Sequence, residues 1–242
     1  MYRGLVETLV SGYLLLEGGS EFGGGMSEPD LRAIELAGGP GKPICIIPTA
    51  AAPDNNHERA GRNGLNWFHG LGAANVRSVP LIDKASANYD PEINRSLRAA
   101  RLIYLLGGFP GYLVETLSES RGWQSALAAY QDGAVLAGSS AGAMVLCQYL
   151  YDPSQKKVIP GLNLLPNTCI LPHHNTFGKG WVARLQEELP NVILVGIDEQ
   201  TGMIDDGPEG SWTVYGTGKV TIYRDDTINM YHSGKIFSLS PQ

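Results

Sequence analysis

Short apolar runs rich in β-branched residues alternate with stretches of helical periodicity through the first two hundred residues. The runs are "GYLLLEGG" (12–19), "PICIIPTA" (43–50), "NVRSVPL" (75–81), "RLIYLLGG" (101–108), "AVLAG" (134–138), "TCILPHH" (168–174) and "NVILVGIDE" (191–199). Runs of this kind, without a polar face, predict strands covered on both sides, as in a parallel sheet flanked by helices. Helices are predicted over 28–38, 57–71, 91–99, 113–131, 141–150 and 178–188. The first, "EPDLRAIELAG", carries acid and proline in its opening turn and a trailing glycine. Past residue 200 the period changes to near two in "SWTVYGTGKVTIYRDDTINMYHSGKIFSL", broken at "TGK", "RDDT" and "HSGK". That pattern predicts an antiparallel β-meander over about 201–242. The expectation is therefore one α/β domain over 1–242, with a doubly wound, mostly parallel sheet and a C-terminal meander.

Several runs end in glycine-rich or polar turns: Gly18–Gly19, Thr49, Gly107–Gly108, Ser139–Ser140 and His173–His174. Ligands of open parallel sheets bind outside the carboxyl ends of the strands, so these residues are expected to converge on one rim.

Composition narrows the function. The 242 residues are 43% apolar and 17% charged, which excludes a disordered chain. The net charge of −6 and the lack of any Lys/Arg run argue against a nucleic-acid or anionic-membrane surface. No apolar stretch approaches the ~18–20 residues that span a bilayer. The opening "MYRGLVETLVSGYLLLEGG" has Glu7 within its apolar part and no small-residue cleavage pattern, so it reads as mature protein, not as a signal peptide. Cys45, Cys147 and Cys169 lie far apart inside apolar runs and read as buried, reduced thiols of a cytoplasmic protein. Neither a C-x-x-C nor a zinc-type His/Cys spacing occurs. The 31 glycines are not repetitive and imply many tight turns.

The chemistry concentrates in "VLAGSSAGAMVL" (135–146), where Gly138, Ser140 and Gly142 form Gly-x-Ser-x-Gly between a strand and a helix. This is the pattern of a nucleophile elbow, and it is equally the pattern of a small-residue corner. A serine nucleophile needs a base, and the histidines are His57, His69, His173, His174 and His232. Of these, His173 and His174 end a predicted strand on the same rim. The turn "LLGGFPGYL" (105–113) ends the strand expected beside that of the serine. Its free amides, at Gly108 or Phe109, could join the Ala141 amide in an oxyanion hole.

Together "GSSAGAM", "LLGGFPGYL", "LPHH", "GIDEQTG" and the N-terminal "LLLEGGSE" resemble the dipeptidase E and cyanophycinase family of serine peptidases. "VYGTGKVTIYRDD" is similar to the C-terminal hairpin of its cyanophycinase-like members. The resemblance runs along nearly the whole chain. It implies a class I glutamine amidotransferase-like fold and hydrolysis of short peptides or peptide-like amides, in an exopeptidase or dipeptidase manner, without cofactor. By the same resemblance Ser140 matches the nucleophile and His173 the base. Asp152 in "LYDPS" is placed ahead of Glu199 in "GIDEQTG" as the acid. His174 stands where the family usually has an aromatic, and with Asn175, Lys179 and Arg184 it is a candidate substrate contact. Where the family carries Gly-Gly-Gly-Asn or Gly-Gly-Asp-Gln, this chain has Gly107-Gly108-Phe109-Pro110. The backbone turn is kept and the substrate-binding side chain is lost. An arginine cluster after the histidine is also missing, which speaks against a polymer-degrading cyanophycinase. The expected partner is a small peptide, and a homodimer stays open. Two other readings remain at this point: a non-catalytic relative binding a small ligand on the same rim, and an α/β-hydrolase esterase using Ser140, Asp198 or Asp205, and His232.

Overall fold

The computed structural model describes residues 12–239. The reading of residues 1–11 as the start of a mature chain lies outside the described residues, as do the last three residues of the expected meander. A larger sheet is built first. The chain runs through β1 (Leu14–Glu17), α1 (Ser27–Leu36), β2 (Ile44–Ile47), α2 (His57–Gly70), β3 (Val76–Ser78), α3 (Lys84–Tyr89) and α4 (Pro91–Ala99). It continues through β4 (Leu102–Leu105), α5 (Pro110–Leu117), α6 (Arg121–Gln131) and β5 (Val135–Ser139). Then α7 (Ala141–Val145) leads into a second sheet with β6 (Cys147–Asp152), β7 (Lys157–Pro160), β8 (Leu165–Leu171), α8 (Val182–Glu188) and β9 (Ile193–Ile197). Last come β10 (Thr201–Ile204), β11 (Trp212–Gly216), β12 (Lys219–Arg224), β13 (Thr227–His232) and β14 (Ile236–Phe237).

The first sheet has eight strands in the order β14-β11-β10-β1-β5-β4-β2-β3. Strands β1, β5, β4, β2 and β3 run parallel, and β10, β11 and β14 extend the sheet antiparallel from β1. Strands β1, β2, β4 and β5 are buried along their whole length, as runs without alternation predict. The second sheet has six strands in the order β13-β12-β9-β8-β6-β7, with β9, β8 and β6 parallel at its centre. A single hydrophobic cluster joins Leu14, Leu16 and Leu136 of the first sheet to Ile170, Val195 and Ile222 of the second.

The α/β class with parallel portions and an antiparallel C-terminal region therefore stands, with three refinements. The C-terminal strands do not form one continuous meander: β11 pairs with β14 in the first sheet, and β12 with β13 in the second. The helix expected over 141–150 stops at Val145, because Cys147–Asp152 pairs with β7 and β8 as a strand. The helix expected over 113–131 is two helices, the second capped by Ser120 Oγ accepting from the Trp123 amide. Such a cap stabilises a helix by about 1 kcal/mol. Helix α4 begins in the same way, with Asp90 as cap and Pro91 in its first turn.

Candidate active site

Ser140 is the residue between β5 and α7, at φ 50° and ψ −113°. A non-glycine residue there is strained by about 1–3 kcal/mol, and the fold must hold it. The Ser140 amide donates to the Glu17 carbonyl on β1 at 3.0 Å, and the Met144 amide donates to the Ser140 carbonyl at 3.0 Å. Small neighbours make the turn feasible. A Cβ at Gly138 would lie 2.4 Å from the Gly142 backbone, and one at Gly142 would lie 2.2 Å from the Leu105 carbonyl oxygen. Strand, turn and helix can close only with glycine at both positions.

His173 follows β8, also at positive φ (48°), with its amide donating to the Gly18 carbonyl at 2.7 Å. Its Nε2 lies 3.0 Å from Ser140 Oγ and its Nδ1 lies 2.7 Å from Glu199 Oε1. A carboxylate can only accept, so the proton sits on Nδ1 and Nε2 is free to accept from the serine hydroxyl. Glu199 occupies the turn between β9 and β10, its amide donating to Asn175 Oδ1 at 2.9 Å. The hydrogen bond from His173 holds the Glu199 carboxyl below its usual range, with smaller help from the Ser20 and Thr176 hydroxyls. Phe177 stacks on the His173 ring at 4.8 Å between centroids and remains 54% exposed.

Several expected site residues stand elsewhere. Asp152, placed first as the histidine's partner, is buried at the end of β6, where its Oδ1 accepts from the Ser154 amide at 2.9 Å. It makes no bond to either histidine, because residues 147–152 leave the elbow as a strand of the second sheet. His174 is only 4% exposed, with Nδ1 3.4 Å from Asp198 Oδ1 and Nε2 2.9 Å from the Tyr223 hydroxyl. Burial pushes its pKa down against the pull of Asp198, so it is a neutral interior group and not a substrate contact. Asn175 serves the Glu199 backbone. Arg184 turns away to Glu188, the Tyr151 hydroxyl and the Lys156 carbonyl. Lys179 is exposed in the turn preceding α8.

In the glycine turn the Phe109 amide is already spent on the Ala50 carbonyl at 2.8 Å. The Gly108 and Ala141 amides stand in the turns that follow β4 and β5. Of the residues the esterase reading requires, Asp198 is bonded to His174, Asp205 accepts from the Leu14 amide, and His232 is exposed on β13.

Behind the elbow lies a group that sequence reasoning missed. Glu17, paired in register with Ser139, is buried and accepts from the Tyr104 hydroxyl, while Asp30 accepts from Trp67 Nε1 at 2.7 Å. The remaining oxygens, Glu17 Oε1 and Asp30 Oδ1, are buried without a hydrogen-bond partner. Burial raises Glu17 well above the carboxylate range and Asp30 to about 7. Glu21, on the turn after β1, accepts from Ser139 Oγ at 2.9 Å. It faces a cleft of about 390 Å³ lined by Asp54, Asn56, Arg59 and Asn63 together with the Gly107–Gly108 turn. The signal for Glu21 was present in "GGSE", an acid just past a strand-end glycine pair on the rim. Among the described residues no group of three or more His, Cys, Asp or Glu is placed to hold a metal ion, and no helix is long and apolar enough to cross a membrane.

The chain is similar to known peptidases. The model of peptidase family S51 matches residues 14–209. A crystal structure of a peptidase from an acI-B1 Actinobacterium superposes with a TM-score of 0.85 at 32% identity, covering 96% of this chain and 98% of that one. A candidate peptidase E protein from Listeria monocytogenes EGD-e shares the fold, with a TM-score of 0.58 at 20% identity over 94% of this chain and 100% of the other.

Proposed function

Since the chain belongs to peptidase family S51 and is a serine peptidase resembling dipeptidase E, we propose that Ser140, His173 and Glu199 are its nucleophile, base and acid. The observation that carries the assignment is the continuous relay from Ser140 Oγ to His173 Nε2 at 3.0 Å and from His173 Nδ1 to Glu199 at 2.7 Å. Ser140 attacks the carbonyl of a short peptide as His173 Nε2 takes its proton. Glu199 keeps the imidazole in the Nδ1–H tautomer and stabilises the imidazolium that forms. The developing oxyanion is met by the Gly108 and Ala141 amides; one such donor is worth roughly 3–4 kcal/mol in the transition state. His173 then protonates the leaving amine, and water, activated by the same imidazole, clears the acyl-enzyme. This acyl transfer calls for no metal or organic cofactor. The three buried free thiols are in keeping with a reducing, cytoplasmic setting.

A fluorophosphonate probe tests the nucleophile. The wild-type protein should be labelled once, at Ser140, and Ser140→Ala should lose both labelling and dipeptide hydrolysis. Labelling that lands on Ser139, or persists in Ser140→Ala, would overturn the assignment.

A further inference from the structure

Among the described residues the two sheets end in β3, β14, β7 and β13. Edge strands are ordinarily guarded against pairing with another chain by charge, proline or shortness. Strand β7 carries Lys157 and Pro160, β3 is three residues long with Arg77 at its centre, and β14 is two residues beside Lys235. Strand β13 has no such guard. Its six residues, Thr227–His232, include no Pro, Asp, Glu, Lys or Arg, and it pairs with β12 without a bulge. Ile228 and Met230, two apart and so on one face, are 58% and 60% exposed.

The hydrogen-bonding phase of this edge follows from β12. Just past β9, the Asp198 amide donates to the Lys219 carbonyl at 3.1 Å. Odd-numbered residues of β12 therefore bond to β9 and even-numbered ones to β13. Thr227, Asn229 and Tyr231 face β12, and the amides and carbonyls of Ile228 and Met230 point out of the sheet. The His232 carbonyl already accepts from the Lys235 amide at 3.0 Å.

We propose that β13 joins two copies of this chain, pairing antiparallel with itself about a two-fold axis at Asn229. A two-fold normal to the sheet keeps each side chain on its own face, so only residues of like parity can stand opposite. Centring on Met230 would require the occupied His232 carbonyl. Centring on Ile228 would set Met230 against the Asp226 carboxylate. Centred on Asn229, Ile228 of each copy exchanges both backbone bonds with Met230 of the other, and their side chains cover each other. The acidic turn Asp225–Asp226 comes beside His232 and Lys235 of the second copy, all of them exposed, so the charges at the two ends of the strand complement each other. The smaller sheet then runs unbroken through both molecules.

So short a contact is weak, with a Kd of about 10 µM, and sedimentation should show dimer at about 200 µM and monomer at about 1 µM. Met230→Lys puts a charge on the edge and should weaken the Kd by at least about tenfold. Oxidised Asn229→Cys should form an interchain disulfide, because opposed Cα atoms of a non-hydrogen-bonded pair stand about 4.5 Å apart. Thr227→Cys should not, since residue 227 and its copy lie at opposite ends of the pairing. These positions are exposed, and the native cysteines are buried and do not compete. Wild type that stays monomeric at about 200 µM overturns the proposal without any variant, and leaves the edge to an extended segment of another protein. A dimer unchanged by Met230→Lys also overturns it, by placing the contact elsewhere. So does cross-linking of Thr227→Cys as readily as Asn229→Cys.

Discussion

His173 and His174 are neighbours in the chain but belong to separate hydrogen-bond systems. His173 reaches Ser140 and Glu199 on the rim, whereas His174 points inward to Asp198 and the Tyr223 hydroxyl. Their substitution should separate accordingly. His173→Ala should lower peptide turnover by about 10⁴ or more, the loss typical of a triad deprived of its base. His174→Ala leaves two buried partners unsatisfied, at roughly 1–3 kcal/mol, and should lower the melting temperature by several degrees. Calorimetry beside a hydrolysis assay reads both. Inactivity of His174→Ala with full activity of His173→Ala would reverse the site.

The acid is tested by a matched pair. Glu199→Gln lets the imidazole take the wrong tautomer and should reduce kcat by about 10³–10⁴, with KM little changed. Asp152→Asn preserves the acceptor for the Ser154 amide and should keep kcat within about threefold. The opposite order of effects would return the acid's role to Asp152.

The Glu17–Asp30 pair gives a pH dependence of defined sign. Burial raises both carboxyls, Asp30 to about 7, so the folded protein holds a proton that the unfolded chain releases near pH 4. Stability from this source is full below about pH 4 and is lost as pH rises toward 7. Asp30→Asn, whose amide oxygen still accepts from Trp67, removes Asp30's share of the effect. Its stability relative to wild type should therefore climb across that window, at up to about 1.4 kcal/mol per pH unit. Urea midpoints at several pH values would show it, and parallel curves for the two proteins would refute a raised Asp30 carboxyl.

Phe177 covers one face of the His173 imidazole from the solvent side. Phe177→Ala removes a ring contact worth about 0.5–1.5 kcal/mol and should lower kcat/KM by roughly 2- to 12-fold. Phe177→Tyr should recover most of the loss. A change confined to the melting temperature would show that the stacking does not orient His173.

Much of this was legible in the residues, for identifiable reasons. Runs such as 101–108 and 134–138 are apolar without alternation because helices cover both faces of the sheet, and they became β4 and β5. The rim also followed from sequence, since Ser140 and His173 both close parallel strands. What misled was the stretch after the elbow. Residues 141–150 carry a helical pattern only to Val145, and Cys147–Asp152 takes its shape from pairing with β8 and with β7, a strand that sequence inspection did not find. Asp152 was placed ahead of Glu199 by the resemblance alone, and in the structure it bonds to the Ser154 amide while Glu199 meets His173. Opposite directions for two adjacent histidines cannot be read from a dipeptide; they depend on Tyr223, arriving from a strand 49 residues downstream. Phe109 was expected to offer an amide that the Ala50 carbonyl already holds.

The division of the relay between the two sheets has a mechanical consequence. Ser140 ends a strand of the larger sheet, His173 ends a strand of the smaller one, and Glu199 sits on the loop that passes between them. With the proposed triad, catalytic alignment is therefore a gauge of how the two layers are seated against each other. Warming that loosens the seam, while each layer keeps its ladder of backbone bonds, would extinguish turnover ahead of any change in far-ultraviolet dichroism. The peptidase would act as its own thermometer for the shared core.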